Sequence, residues 1–395
     1  MKNTLILLFL LPFLSNQTLF AQCIDGFLPS GAKCGGTVQT AVPFLRIAPD
    51  ARSGAMGDLG IALSPDANSI LYNASKLAMA DKKWGAAVNY TPWLSNLGNT
   101  DIFLLHEAGY FQFGKDKKQA IGLDFLYFDL GRITWTDFNA QPIGEGNPYE
   151  MAFSGSYSRM LNENWSLGVT GKYIYSNLAM GVVSPGGVDI HSGKAGAVDV
   201  SATYKKTISV AGFGSDLRVG AAISNLGSKI SYLRTSDYLP ANLGIGAAWD
   251  INLNADHRLT LAIEFNKLLV PTPQPQDTTG SWRNMGVIKG VFTSFSDAPG
   301  GTKEELQEIT ASVGLEYWCL KHVALRAGYF KEDKLKGGRE YFTVGAGVRY
   351  RAVGFNFSYL LPTNSQRGPL DNTMRFSLLF NGDSFEKEPH HVSKP

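Results

Sequence analysis

Beyond residue 21 the 395-residue chain has no apolar run approaching the ~18 residues a membrane-crossing helix requires. A helical membrane protein is therefore excluded. No excess of charge exists either: 36 Lys and Arg stand against 34 Asp and Glu, so nucleic acid is not an expected partner. Only three cysteines occur, and neither they nor the six histidines fall at a zinc-binding spacing, so no metal and no cofactor is expected. GxSxG, P-loop and dinucleotide fingerprints are missing from any suitable context. His106, His191, His257, His322, His390 and His391 make no recognisable Ser/His/Asp arrangement, and no catalysis is expected. The acidic pair Glu304 and Glu305 reads as solvated helix charge.

What the chain does contain is 43 glycines and 12% aromatic residues, which point to closely approaching strands with interfacial rings. Residues 1–21 read as a secretory signal: Lys2, an apolar core from Leu5 to Leu14, polar Ser15 to Gln17, and a cleavage position after Ala21. The rival is a lipoprotein signal acylated at Cys23, opposed by the bulky Gln22 just before it. Export would allow Cys23 and Cys34 to close a small disulfide loop, leaving Cys319 as a small hydrophobe in an apolar strand.

Period-two reading gives about fourteen segments of roughly nine to twelve residues, the length of a tilted membrane-spanning strand. In 339–351, Phe342, Val344, Ala346, Val348 and Tyr350 share one face, with Tyr341, Thr343, Gly345, Gly347 and Arg349 on the other. Segments 257–268, 353–361 and 372–381 repeat the pattern. A soluble sandwich would alternate too, so the connections decide. Short ones at 114–118, 161–164, 252–258 and 320–322 alternate with long ones near 132–148, 178–195, 225–239 and 267–307. One tight rim and one elaborated rim is the habit of outer-membrane barrels. Rings near strand ends, among them Trp84, Trp165, Trp249 and Trp318, read as interfacial girdles.

The expected architecture is an all-β, antiparallel transmembrane barrel of about fourteen strands over 81–381, in the cell outer membrane. Residues 22–80 form the N-terminal segment and a luminal hatch; 382–395 form a periplasmic tail. The hatch reading rests on lumen size: about fourteen strands enclose more space than their own side chains fill. The Gly/Ala-rich stretch 51–78 is the sizeable non-strand block upstream of the barrel, and Arg52, Asp58, Asp66 and Asn73 are its candidates for bonding the inner wall. A periplasmic helix outside the pore is the alternative. The external loop 267–307 is the candidate partner surface, through Leu268, Leu269, Val270, Trp282, Phe292 and Phe295. Packing of those residues against the barrel mouth is the competing reading. Within the loop, KEELQEI suggests a short helix.

The hatch stretch, with Tyr72-Asn73-Ala74-Ser75 at its end, resembles the N-terminal hatch of FadL-type outer-membrane transporters, although the proline of their usual turn is missing. Six ordered blocks are more specific: VPFLRIAPDARSGAMGDLGIA (42–62), LPANLGIG (239–246), KLLVPTP (267–273), VFTSFSDAPGGTKEELQEIT (291–310), LRAGYFKE (325–332) and NTMRFSLLFN (372–381). Together they resemble the PorV family, the FadL-like barrels of the Bacteroidetes type IX secretion system. The resemblance implies a non-catalytic cargo shuttle. Implied partners are the C-terminal sorting domains of cargo, an SprA-type translocon, a PorU-type sortase or attachment complex, and outer-membrane lipid and lipopolysaccharide. The competing expectation is a FadL-like channel for hydrophobic small molecules. Inward Lys172, Asp199, Arg218, Asp250, Glu264, Glu316, Arg326, Arg349 and Arg375 speak for a polar lumen instead.

Overall fold

The computed structural model describes residues 37–382, apart from 95–100, 115–117, 137–138, 140, 179–189, 211, 233–234, 275–276, 278–279 and 364–371. The expected signal sequence, Cys23, Cys34 and the tail beyond Gly382 lie outside the described residues.

The chain enters through a 3-10 turn (Pro43–Arg46), α1 (Ala51–Gly54), α2 (Ser69–Tyr72) and a 3-10 helix (Ala74–Met79). The first strands are β1 (Trp84–Pro92), β2 (Ile102–Phe113), β3 (Gln119–Leu130), β4 (Ile133–Thr136), β5 (Pro142–Gly146) and β6 (Tyr149–Met160). Next come β7 (Trp165–Asn177), β8 (Gly193–Val210), β9 (Phe213–Gly227), β10 (Ile230–Ser231), β11 (Ser236–Asp237) and β12 (Asn242–Asn252). The last are β13 (Arg258–Leu268), β14 (Ile309–Cys319), β15 (Val323–Lys331), β16 (Glu340–Tyr350), β17 (Val353–Pro362) and β18 (Met374–Gly382). Fourteen of them close an antiparallel barrel; β4–β5 and β10–β11 are separate two-stranded hairpins.

Closure comes from β1 pairing with β18, Trp84 opposite Gly382 and Tyr90 opposite Phe376. No barrel strand is left with an open edge, as hydrocarbon demands. Side chains follow the pleat. Phe342, Val344, Val348 and Tyr350 are exposed outward, whereas Tyr341 and Thr343 are buried inward. Leu261, Ile263 and Phe265 face out while Thr260 and Glu264 face in. Trp318 departs from the girdle reading: it is buried and shares the inward face with Glu316, two residues earlier on β14.

Turns at 161–164, 253–257, 320–322 and 351–352 make one rim. The connections bearing the β4–β5 and β10–β11 hairpins, and the stretch 269–308, make the other. The short-turn rim faces the periplasm by the rule of such barrels. Residues 37–47 lie at the long-loop rim, where the Ala41 amide donates to the Tyr238 carbonyl at 2.9 Å. Phe44 packs there with Leu104, Leu126, Phe128 and Ile174 from the inner wall. The Lys83 carbonyl, just before β1, accepts from the Gln112 amide at the opposite rim. The segment between therefore descends through the lumen.

Close packing of backbone on wall makes this descent possible. Gly57 has φ +77° and sits against the Tyr329 carbonyl, a left-handed position that suits glycine. Facing it is Gly328, where a Cβ would collide with the backbone of Met56 and Gly57. Gly328→Val is expected to unseat the hatch at a cost of ~1–3 kcal/mol, leaving the barrel intact. Limited proteolysis of the folded protein in detergent reads this as several-fold faster cleavage within 48–80. Unchanged protection would show that close wall contact does not seat the segment.

Candidate functional site: the luminal hatch and the external loop

Arg52 is the centre of the hatch contacts. Asp50 caps α1, its carboxylate accepting from the Ser53 amide at 2.8 Å and from the Tyr72 hydroxyl at 2.6 Å. That frame aims Arg52 at the wall. Its Nε and one terminal nitrogen donate to the two oxygens of Glu316 at 3.0 and 2.9 Å; the remaining donors reach the Ser64 carbonyl, the Ser64 hydroxyl and Asp66. All five guanidinium N–H groups are thus used. Arg326 also donates to Glu316, at 2.7 Å, and to Asn356 at 2.9 Å. Glu316 is fully buried, so it is an anion held between two cations out of water.

The other hatch groups spread around the ring. Asp58 pairs with Arg375 at 3.1 Å and accepts from the Tyr341 hydroxyl at 2.5 Å. Asn73 donates to Thr203 on β8 and to the Ile61 carbonyl, each at 2.9 Å. Asp66 differs: among the described residues its carboxylate bonds Arg52 and the Asn68 amide, both inside the hatch, and no wall residue. From the wall side, Glu264 accepts the Gly60 and Ile61 amides at 2.8 Å, and Arg218 donates to the Ala62 carbonyl at 3.0 Å. Asp50 carried no sequence signal beyond its place before a short helix.

The external loop is a folded unit. The 3-10 turn Ser281–Asn284, α3 (Val287–Thr293) and α4 (Thr302–Gln307) lie within it. Trp282 stacks on Tyr238 with ring centroids 5.9 Å apart, and the Tyr238 hydroxyl donates to the Met285 carbonyl at 2.6 Å. Lys267 donates to Glu305 at 2.9 Å and Glu308 at 2.6 Å; Lys336 donates to Glu304 at 2.6 Å and Glu308 at 2.9 Å. Glu304 and Glu305 are therefore not solvated helix charges but anchors of α4 against the end of β13 and the β15–β16 connection.

The six loop residues singled out from sequence separate. Leu269, Val270 and Trp282 are buried, and Val270 and Trp282 pack with Tyr238, so these three are packed inside the folded loop rather than displayed on it. Leu268 is half-buried at the end of β13. Phe292 at 73% and Phe295 at 49% are exposed, joined by Ile288 at 61% and Leu306 at 64%. The exposed apolar face is thus built on α3 and α4, because the proline-bearing start of the loop folds inward.

Removing Glu316 would leave Arg52 and Arg326 buried without their anion. Glu316→Ala is expected to cost ~3–5 kcal/mol, read as a lower Tm by circular dichroism in detergent; an unchanged Tm would show that this cluster is not what holds the hatch. For Glu308, burial pushes the carboxyl up, but hydrogen bonds from Lys267, Lys336 and Thr272 outweigh it and hold it below the ordinary value. A depressed folded-state value stabilises above the ordinary carboxylate range and is lost as pH falls through the depressed one. Hydrogen exchange over 297–308 should be slow at neutral pH and accelerate in acid, after correction for intrinsic rates. Acid-independent protection would count against the anchor.

A family model described as "Type IX secretion system protein PorV" matches residues 32–275. A comparison with curated proteins returns no match. Among solved structures, the Pseudomonas putida toluene transporter TodX is 12% identical, over 86% of this chain and 99% of its own, with a TM-score of 0.49. A Pseudomonas aeruginosa FadL homologue is 13% identical over 88% and 99%, TM-score 0.44. The Ralstonia pickettii toluene transporter TbuX is 10% identical over 85% and 98%, TM-score 0.45. The family match spans well over half of the residues. With its closed fourteen-stranded barrel, the chain belongs to the PorV family of type IX secretion system proteins, as a multi-pass β-barrel of the outer membrane.

Proposed function

We propose that this barrel is a non-catalytic carrier in type IX secretion. It binds the C-terminal sorting domain of cargo, caps an SprA-type translocon and delivers cargo to a PorU-type attachment complex at the cell surface. Family membership supports the secretion role. The observation that carries the carrier reading is an ordered external loop presenting Ile288, Phe292, Phe295 and Leu306 to the outside, above a lumen filled by the hatch. Ile288 and Phe292 stand one helical turn apart on α3 and so share a face. Exposed apolar side chains sharing a helix face suit protein contact. The Lys267 and Lys336 ion pairs hold α4 in place beforehand, which lowers the ordering cost of binding.

The channel reading requires an apolar path. On the external side of the hatch the cavity is lined by Arg46, Asp58, Asn225, Asn242, Glu264 and Arg339, among others, and that polar lining favours the carrier.

The test is affinity isolation of the tagged protein from native membranes, with the double variant Ile288→Asp/Phe292→Asp beside the wild type. Expected is co-purification of translocon and of secreted proteins sharing a C-terminal domain, reduced by about tenfold or more in the variant, at equal barrel yield. Equal recovery from both would remove this face from the proposal. Bound lipid without protein would favour the channel.

A further inference from the structure

At the periplasmic rim, beneath the hatch, three arginines gather around one buried tryptophan. The Trp318 ring has the Arg349 guanidinium carbon 4.3 Å from its centroid, that of Arg326 at 5.6 Å and that of Arg258 at 6.0 Å. Trp318 is 7% exposed and its Nε1–H has no hydrogen-bond partner. Two cavities, about 170 and 200 Å³, share Arg258, Trp318 and Arg349 in their walls.

The charges here do not cancel. Arg326 is satisfied by Glu316 and Asn356. Arg258 approaches Asp250 and Glu316 only at 4.0 Å, and both carboxylates are already engaged by closer cations, Arg218 at 2.7 Å and Arg52 at 2.9 Å. The Arg258 Nε is buried without a partner. Arg349 makes no ion pair among the described residues. Of the carboxylates lining the two cavities, Asp66 is bound to Arg52, while Asp81 and Asp256 are exposed at the rim. Stacking on indole offsets part of the repulsion between guanidiniums. The Arg258 Nε and the Trp318 Nε1 are buried donors without an acceptor, which is costly, while Arg349, exposed at the rim, presents further donors to the same two cavities.

We propose that this cavity is an oxyanion-binding site, taking a phosphate or carboxylate group between Arg258 and Arg349 with Trp318 beside it. Guanidinium forks match both groups, and a volume near 200 Å³ admits a small anion. The site opens to the periplasm through the 253–257 turn and Lys321, so the anion arrives from that side, independently of anything docked on the external loop. Two sources share the chemistry: a free anion, and an acidic side chain in the segment after Gly382, since Asn381 also lines the cavity of about 170 Å³.

The experiment is isothermal titration of the detergent-folded full chain with inorganic phosphate and with citrate, at constant ionic strength. A chain ending at Gly382 is titrated alongside. Saturable binding by the full chain identifies a free anion; binding seen only after truncation identifies the tail as the normal occupant. In whichever chain binds, Arg349→Gln and Arg258→Gln should each weaken affinity by about tenfold or more. Arg349→Lys should lose less, and Lys205→Gln, already paired with Asp216, should change nothing. Circular dichroism melts confirm that each variant is folded. No saturable binding by either chain, or affinity indifferent to both glutamine variants, overturns the proposal.

Discussion

A cylinder of fourteen strands solves one problem of a membrane and creates another. Closure leaves no unpaired backbone for lipid to meet, yet the lumen is wider than inward side chains can fill. The leading segment must occupy that space, and the rest of the molecule is arranged around its fit. Where backbone meets backbone, the wall supplies glycine, as at Gly328 and Gly314 against Met56 and Gly57. Where charge enters, the wall supplies a counter-charge, as Glu316 does for Arg52.

The buried ion clusters cost desolvation, and their value lies less in raw stability than in position. Glu316, Glu264, Arg218 and Arg375 stand on different strands, and each meets one point on the hatch. A segment rich in small residues and short helical turns has little stiffness of its own. Bonds spread around the ring give it one orientation. A similar device orders the external loop, where Lys267 and Lys336 clasp the acidic end of α4.

The molecule consequently has three chemical levels. The external mouth holds an apolar cluster around Phe44 and a folded loop with apolar side chains in the open. The middle is a paired, charged plug. The periplasmic rim gathers three arginines around Trp318, with the Arg258 Nε and the Trp318 Nε1 buried and unpartnered. This gradient fits a protein whose dealings with others occur at its ends, the wall between them being committed to lipid.

Strand count, face assignment and the alternation of tight and long connections could all be read from the residues, because each is local. A two-residue period records lipid on one side and water on the other without reference to any distant partner. The same parity placed Trp318 beside Glu316 on the inner face, and the girdle reading overlooked it. Other features lay beyond any local pattern. Glu304 and Glu305 look like solvated charge until Lys267, at the end of β13, and Lys336, in the β15–β16 connection, are brought to them. Leu269, Val270 and Trp282 look like a sticky surface until the β10–β11 hairpin offers Tyr238 as a place to bury Val270 and Trp282. Asp66 turned inward to its own segment because Arg52, fixed by Glu316, was within reach. Alternation along a chain thus states which environment each residue prefers; which partner it finds there depends on contacts between separate elements, from 38 residues apart for Lys267 and Glu305 to 264 for Arg52 and Glu316, and those exist only once the chain has folded.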